Sequence, residues 1–284
     1  MINLRVGGVP EHFNLPWHLC LEEGLFEKAG INVQWTDFPG GTGAMTRELR
    51  HDGLDVALVL TEGIVADISL GNRSKIVSFY TSTPLQWGVH TTAYNKFEVV
   101  KDVDPMIFSI SRWGSGSHLM AYVYARKRGL NPMRDIAFKI VGDLTGARES
   151  LADKTSNLFL WEKFTTKPYV DSGELKILDI IPTPWPCFAI AAREDILSKE
   201  SKAVNDLVHI VLNRAKKFKQ DPESIKLVAR RYGQKSTDVK EWLKITDWVG
   251  KPGDKFDSFQ TVIDSLTELN IIKTELQVDK IIAK

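Results

Sequence analysis

Strand-like and helix-like stretches alternate along the first two-thirds of the chain. That alternation leaves little choice but βαβ units built around a mainly parallel sheet. Residues 2–6 read as a first strand. Residues 15–28 then place Leu15, Leu19, Leu25 and Phe26 at roughly helical spacing, with Gly30 as the C-cap. Residues 31–38 alternate as a second strand, and PGGTGAM opens a helix running to residue 49. Residues 55–60 are a buried third strand, 61–70 a helix closed by Gly71, and 75–80 a fourth strand. The pattern then restarts, with strands over 106–111, 136–141, 158–161 and 175–180 and helices over 115–128 and 145–152. Residues 188–192 form one more apolar strand. Only helices follow, over 202–219, 222–232, 237–243 and 256–269, several of them opening on Ser, Asp or Pro cap signals.

A pattern that runs twice predicts two lobes, and 284 residues are long for one core. The expected division is residues 1–90 with 187–284 in lobe I and 91–186 in lobe II. The chain would cross near residues 88–92 and 182–188, with the proline-rich PTPWPC as a rigid connector. A net charge of +1 offers no electrostatic footprint for nucleic acid or an anionic membrane. Arg214, Lys216, Lys217 and Lys219 are expected to form a solvated helix face. No apolar run approaches about 18 residues, so no membrane insertion is expected. Cys20 and Cys187 make no disulfide framework and are expected as buried thiols. A strand begins directly after Met1, without a charged segment and apolar core ahead of it. The expected location is cytoplasmic if Met1 is the native start, and periplasmic or extracellular if a leader was removed.

In parallel α/β sheets ligands bind beyond the carboxyl ends of the strands, where helix N-termini present unpaired N–H groups. Two glycine-rich turns fit that place: Gly40-Gly41-Thr42-Gly43, and Gly114-Ser115-Gly116-Ser117 within RWGSGSH. Neither has the spacing of a dinucleotide fingerprint, a P-loop or a nucleophile elbow. His12, His18 and Cys20 match no metal-ligand spacing, and no cofactor is expected. Trp17, Trp113, Trp161 and Trp185 fall after strands or at a crossing, where the walls of a ligand mouth would stand. Glu62 and Glu162 project from strand ends, either to orient a ligand or to cap the helices that follow.

Several segments together resemble the type II periplasmic-binding-protein-like group of SsuA/THI5-like (NMT1-like) proteins. They are the loop over residues 9–14, EEGLFEKAGI, the glycine-rich turn, GLDVA, RWGSGSHLMAYVYARKRGLNP and LFLWEKF. The resemblance covers residues 2–195 and implies an α/β two-lobe fold, each lobe a mainly parallel sheet flanked by helices, with a helical C-terminal tail. It also implies closure of the lobes on a small molecule, and a membrane transporter as partner if the protein is exported. The thiamin-pyrimidine synthases of the group carry a cysteine run together with a lysine and a donor histidine. Here Val59 and Gly63 stand at the matching positions.

The expectation is therefore a non-catalytic solute-binding protein for an anionic or polar, partly planar ligand: a sulfonate, a carboxylate or a thiamin-pyrimidine-related compound. Its expected site residues are His12, Asn14, Trp17, Thr42, Gly43, Thr61, Glu62, Trp113, Gly114, Ser115, Gly116, Ser117, His118, Trp161, Glu162 and Trp185. Two alternatives stay open. One is an enzyme of pyrimidine or thiamin-precursor metabolism on the same scaffold, with His12 or His118 as general base. The other is a cytoplasmic ligand sensor.

Overall fold

The computed structural model describes residues 1–283. Its chain divides into two compact units, residues 1–84 with 184–284 and residues 85–183. Unit 1 opens with β1 (Ile2–Gly8), α1 (Leu15–Glu22), α2 (Leu25–Lys28), β2 (Ile31–Asp37), α3 (Thr42–Arg50), β3 (Val56–Leu60), α4 (Thr61–Ser69) and β4 (Ser74–Phe79). Unit 2 contains β5 (Gln86–Thr92), β6 (Met106–Ile110), α5 (Gly116–Lys127), β7 (Ile136–Ile140), α6 (Leu144–Ala152), β8 (Leu158–Glu162), α7 (Lys167–Asp171) and β9 (Leu175–Pro182). The chain re-enters unit 1 as β10 (Phe188–Arg193). It ends in α8 (Glu194–Gln220), α9 (Glu223–Tyr232), α10 (Ser236–Ile245), α11 (Ser258–Glu268) and α12 (Val278–Ile281).

The two five-stranded sheets share one plan: β2-β1-β3-β10-β4 in unit 1 and β7-β6-β8-β5-β9 in unit 2. In each, the outer three strands pair in parallel. The fourth, β10 or β5, runs antiparallel to both its neighbours. The sheets are therefore mixed, with four strands in one direction and one reversed. Strands covered on both faces read as continuous apolar runs. In unit 1 Val56, Ala57, Val59, Ile190, Ala191 and Ala192 are wholly buried.

Local departures from the expected elements have simple causes. The helix expected over 15–28 is two helices, because Gly24 takes the left-handed conformation (φ 62°) that glycine adopts without a Cβ clash. The helix of the tail begins earlier than expected, at Glu194, and kinks at Glu200 (φ −130°, ψ 32°). The basic face on α8 is only half solvated. Lys216 and Lys217 are exposed, whereas Arg214 pairs with Glu23 at 2.8 Å and Lys219 donates to the Thr246 carbonyl at 2.7 Å. Long cationic side chains lie along apolar surface and put their heads on carbonyls or acids nearby. The tail also closes the aromatic core of unit 1: Trp242 meets Trp248 edge-on at 5.9 Å and Phe13 at 5.2 Å. Both cysteines are free and buried.

Candidate functional site

At the carboxyl edge of the unit 1 sheet, two helices start side by side. Gly41 enters α3 at φ 67° and ψ −160°, a conformation open only to glycine. Thr42 then turns its hydroxyl back to accept from the Leu60 N–H at 2.9 Å, tying the start of α3 to the end of β3. Gly43 follows within the first turn of α3. The start of α4 lies against it, since a Cβ built on Gly63 would stand 2.5 Å from the Thr42 methyl. Thr61 is fully buried and holds the incoming chain twice: its N–H donates to the Cys187 carbonyl at 3.0 Å and its hydroxyl to the Pro186 carbonyl at 2.7 Å.

Glu62 beside it is also fully buried. One carboxyl oxygen accepts from the Trp185 indole N–H at 2.8 Å. The other, Oε1, has no hydrogen-bond partner. Burial penalises the ionised form and pushes the Glu62 carboxyl up to about 7, against the opposing hydrogen bond from Trp185.

The loop after β1 supplies His12 and Asn14. The His12 ring stands edge-on to Trp242 at 4.4 Å, and its Nδ1 faces the Gln234 amide at 3.3 Å. With Gln234 donating, the imidazole proton sits on Nε2, a buried donor without a partner. Burial holds His12 neutral, with its pKa down to about 3. Asn14 donates to the Val9 carbonyl at 2.6 Å and keeps Oδ1 unpartnered. Trp17 is enclosed by Phe26, Trp35 and Tyr80 in the interior of unit 1, its Nε1 likewise unpartnered.

In unit 2 the corresponding edge is built on the turn into α5. Gly114 adopts φ 75°. Its N–H donates to Nδ1 of His118 at 3.0 Å, which again leaves the imidazole proton on an unpartnered Nε2. Ser115 caps α5, accepting from the His118 N–H, and its hydroxyl meets that of Ser117 at 3.1 Å. Ser117 accepts from the Ser111 N–H at 3.2 Å, and Gly116 lies buried between the two serines. The His118 ring is packed among Trp113, Tyr122 and Phe138 at 4.8–5.0 Å. Burial lowers its pKa to about 4. Trp113 itself is 59% exposed. Trp161 stacks on Phe159 at 5.4 Å.

Glu162, the last residue of β8, accepts from the Phe164 N–H at 3.0 Å and from the Thr165 N–H at 2.7 Å and hydroxyl at 3.0 Å. It thus closes the turn that follows, and burial raises its carboxyl to about 7.

The two glycine-rich turns are not topological equivalents. One follows β2, at the edge of its sheet, and the other follows β6, one place further in. The closer correspondence is one the sequence reading missed. Glu62 and Glu162 both stand at the end of the central strand of a sheet, β3 or β8, and an indole stands near the start of each reversed strand. Trp185 bonds Glu62, while Trp87 is the ladder partner of Glu162 and has an unpartnered Nε1. The signal was present as an acid after one apolar strand and a tryptophan before another. His90 was also missed: it is buried on β5 with Nε2 2.7 Å from the Thr166 hydroxyl.

Charge is distributed unevenly over unit 1. Arg193 is the only buried Arg or Lys among the described residues. It pairs with Asp52 and Asp195 beside the amino end of β3, away from Thr42, Thr61 and Glu62. The described residues contain no cluster of His, Cys, Asp and Glu able to hold a metal ion. No helix among them is long and apolar enough to cross a membrane. What the two edges offer is neutral: helix N-termini, hydroxyls and imidazole N–H donors.

Two mixed sheets of this strand order, flanked by helices, define a type II periplasmic-binding-protein fold. Within it, residues 87–181 match the model of the Ca3427-like periplasmic-binding-protein family. The CA3427 gene product of Candida albicans, which exhibits the generic periplasmic binding protein fold, aligns at a TM-score of 0.92 with 25% identity. That alignment covers 100% of this chain and 97% of that one. The alkanesulfonate-binding protein SsuA from Xanthomonas axonopodis pv. citri, bound to MOPS, aligns at 0.84 with 15% identity over 100% and 98% of the two chains. The periplasmic nitrate-binding protein NrtA from Synechocystis PCC 6803 aligns at 0.79 with 13% identity over 99% and 86%. No curated protein sequence matches the chain.

Proposed function

We propose that this chain is a solute-binding protein for a small anionic or polar, partly planar molecule: a sulfonate, a carboxylate or a thiamin-pyrimidine-related compound. The observation that carries the reading is the set of buried, unpartnered polar atoms at helix starts on the carboxyl edges of both sheets. His12 Nε2, Glu62 Oε1 and His118 Nε2 are its members. A buried polar group without a partner costs about 1–3 kcal/mol, so these three atoms at the sheet edges gain by meeting a ligand's polar groups. Helix N-termini suit an anion, and neutral donors hold it without a fixed counter-charge. The neighbours support the class, since SsuA is bound to a sulfonate and NrtA binds nitrate.

The enzymatic alternative finds less support. A general base works best with a pKa near the operating pH, whereas burial holds His12 at about 3 and His118 at about 4. Neither imidazole has a carboxylate as hydrogen-bond partner among the described contacts. A transporter partner belongs to an exported form and ligand sensing to a cytoplasmic one.

The test is thermal unfolding with a panel of sulfonates, nitrate, carboxylates and pyrimidines. A ligand at 100 times its Kd stabilises the native state by about 2.7 kcal/mol. Gly116→Trp should remove that shift in protein that keeps the circular dichroism of the wild type. Wild-type binding by that variant, or catalytic turnover of a panel member, would overturn the reading.

A further inference from the structure

The arrangement around Glu62 reaches beyond solute binding in general. Its Oε1 is a carboxyl oxygen with no partner, on a residue with no exposed surface, at the start of the nine-residue α4. The start of α3 converges on the same place through Thr42. The second oxygen is already engaged by Trp185. Oε1 alone is therefore left to meet a ligand, and it can do so in two ways: ionised, it accepts from a ligand donor; protonated, it donates to a ligand acceptor. An anion beside a carboxylate in a water-excluded site places two like charges together, and only the acid form relieves that.

We infer that Glu62 binds the anion as the acid, donating through Oε1, so that solute and one proton are taken up together. This inference rests on the anion-binding reading above. No charged neighbour sets the state of the carboxyl. The elements packed on α4 are α3, α11, β3, β4 and β10. Their titratable and charged groups are Arg47, Glu48 and Arg50 on α3, Asp264 and Glu268 on α11, Lys75 on β4 and Arg193 on β10; β3 has none. Asp67 lies on α4 itself, and the adjoining segment brings Cys187. Arg50 is engaged by Asp67, Lys75 by Glu194, and Arg193 by Asp52 and Asp195. Burial raises the Glu62 carboxyl, and the opposing influences are the Trp185 hydrogen bond and the residue's own backbone N–H.

Methanesulfonate and nitrate stay ionised from pH 6 to 8, so any pH dependence of their binding belongs to the protein. Calorimetry on the wild-type chain should show the Kd of either anion weakening about tenfold from pH 6 to pH 8. In buffers of different ionisation enthalpy, about 0.9 proton should be taken up per anion at pH 8. Glu62→Gln carries a permanent N–H donor in place of the acid, and it should bind at pH 8 as the wild type binds at pH 6. Failure of both anions to bind the wild type at pH 6 overturns this inference together with the anion reading. A pH-independent wild-type Kd, an affinity that rises with pH, or a tenfold pH effect surviving in Glu62→Gln overturns this inference alone and leaves solute binding standing.

Discussion

Replacing Gly88 with alanine tests how tightly the reversed strand of unit 2 is keyed to its neighbours. A Cβ at position 88 would lie 2.6 Å from Cε1 and 2.9 Å from Nε2 of His90, and the three nearest atoms to it all belong to that ring. The ring has little room to retreat. Its Nε2 is 2.7 Å from the Thr166 hydroxyl, its Nδ1 is 3.3 Å from the Phe159 carbonyl, and the Phe159 ring is 5.8 Å from it. Overpacking costs about 1–3 kcal/mol. Displacing the imidazole from Thr166 leaves buried polar groups unpaired for about 1–3 kcal/mol more. Against this, alanine restricts the unfolded chain and returns up to about 1 kcal/mol. The net loss is about 1–6 kcal/mol, centred near 3. Urea unfolding of Gly88→Ala, His90→Ala and the double variant isolates the contact. With the imidazole gone, the three atoms nearest the added methyl are removed, and its cost should fall to within about 1 kcal/mol of zero. The same loss in both backgrounds would refute the reasoning, since the strain would then lie in the strand and not in the ring above it.

Stability should fall as pH rises. Glu62 and Glu162 are both held at about 7 when folded. Their contribution is greatest below the unfolded carboxyl pKa and is lost as pH passes through about 7, on the order of 3 kcal/mol for each residue. Urea midpoints measured from pH 5 to pH 8 should decline and flatten in part in Glu162→Gln; a level wild-type profile would contradict the burial argument. Trp113 is 59% exposed while Trp17, Trp87, Trp185 and Trp242 are buried. Trp113→Phe should therefore remove most of the fluorescence that acrylamide quenches readily, and unchanged quenching would place the accessible indole elsewhere. Cys20 and Cys187 are buried free thiols, and burial raises Cys20 to about 12. A thiol reagent should titrate two groups only after denaturation; rapid labelling of the folded chain would count against this packing.

The fold was legible wherever one periodicity ran unbroken. Residues 56–60 and 188–192 are apolar throughout because both faces of those strands are covered. The helix starts at Thr42 and Gly116 follow turns whose glycines take positive φ. β5 was harder, because Gln86-Trp87-Gly88-Val89-His90-Thr91-Thr92 shows neither an apolar run nor clean alternation. His90 is buried there through Thr166, a partner 76 residues away that no local pattern announces. The candidate site was partly legible for the same reason. Glycines and serines at helix starts can be read locally, whereas the bond between Glu62 and Trp185 spans 123 positions. The parallel between Glu62 and Glu162 appears only once strand order is known.

Strand order also governs the sequence of events during synthesis. In unit 1, β3 and β4 are separated by β10, so the first 84 residues carry two strand flanks with nothing to pair against until residue 193 has been made. The five strands of unit 2 lie within one uninterrupted stretch. As the ribosome delivers the polypeptide, the half that begins later is the first able to finish, and the earlier half waits with bare β-edges exposed to stray partners.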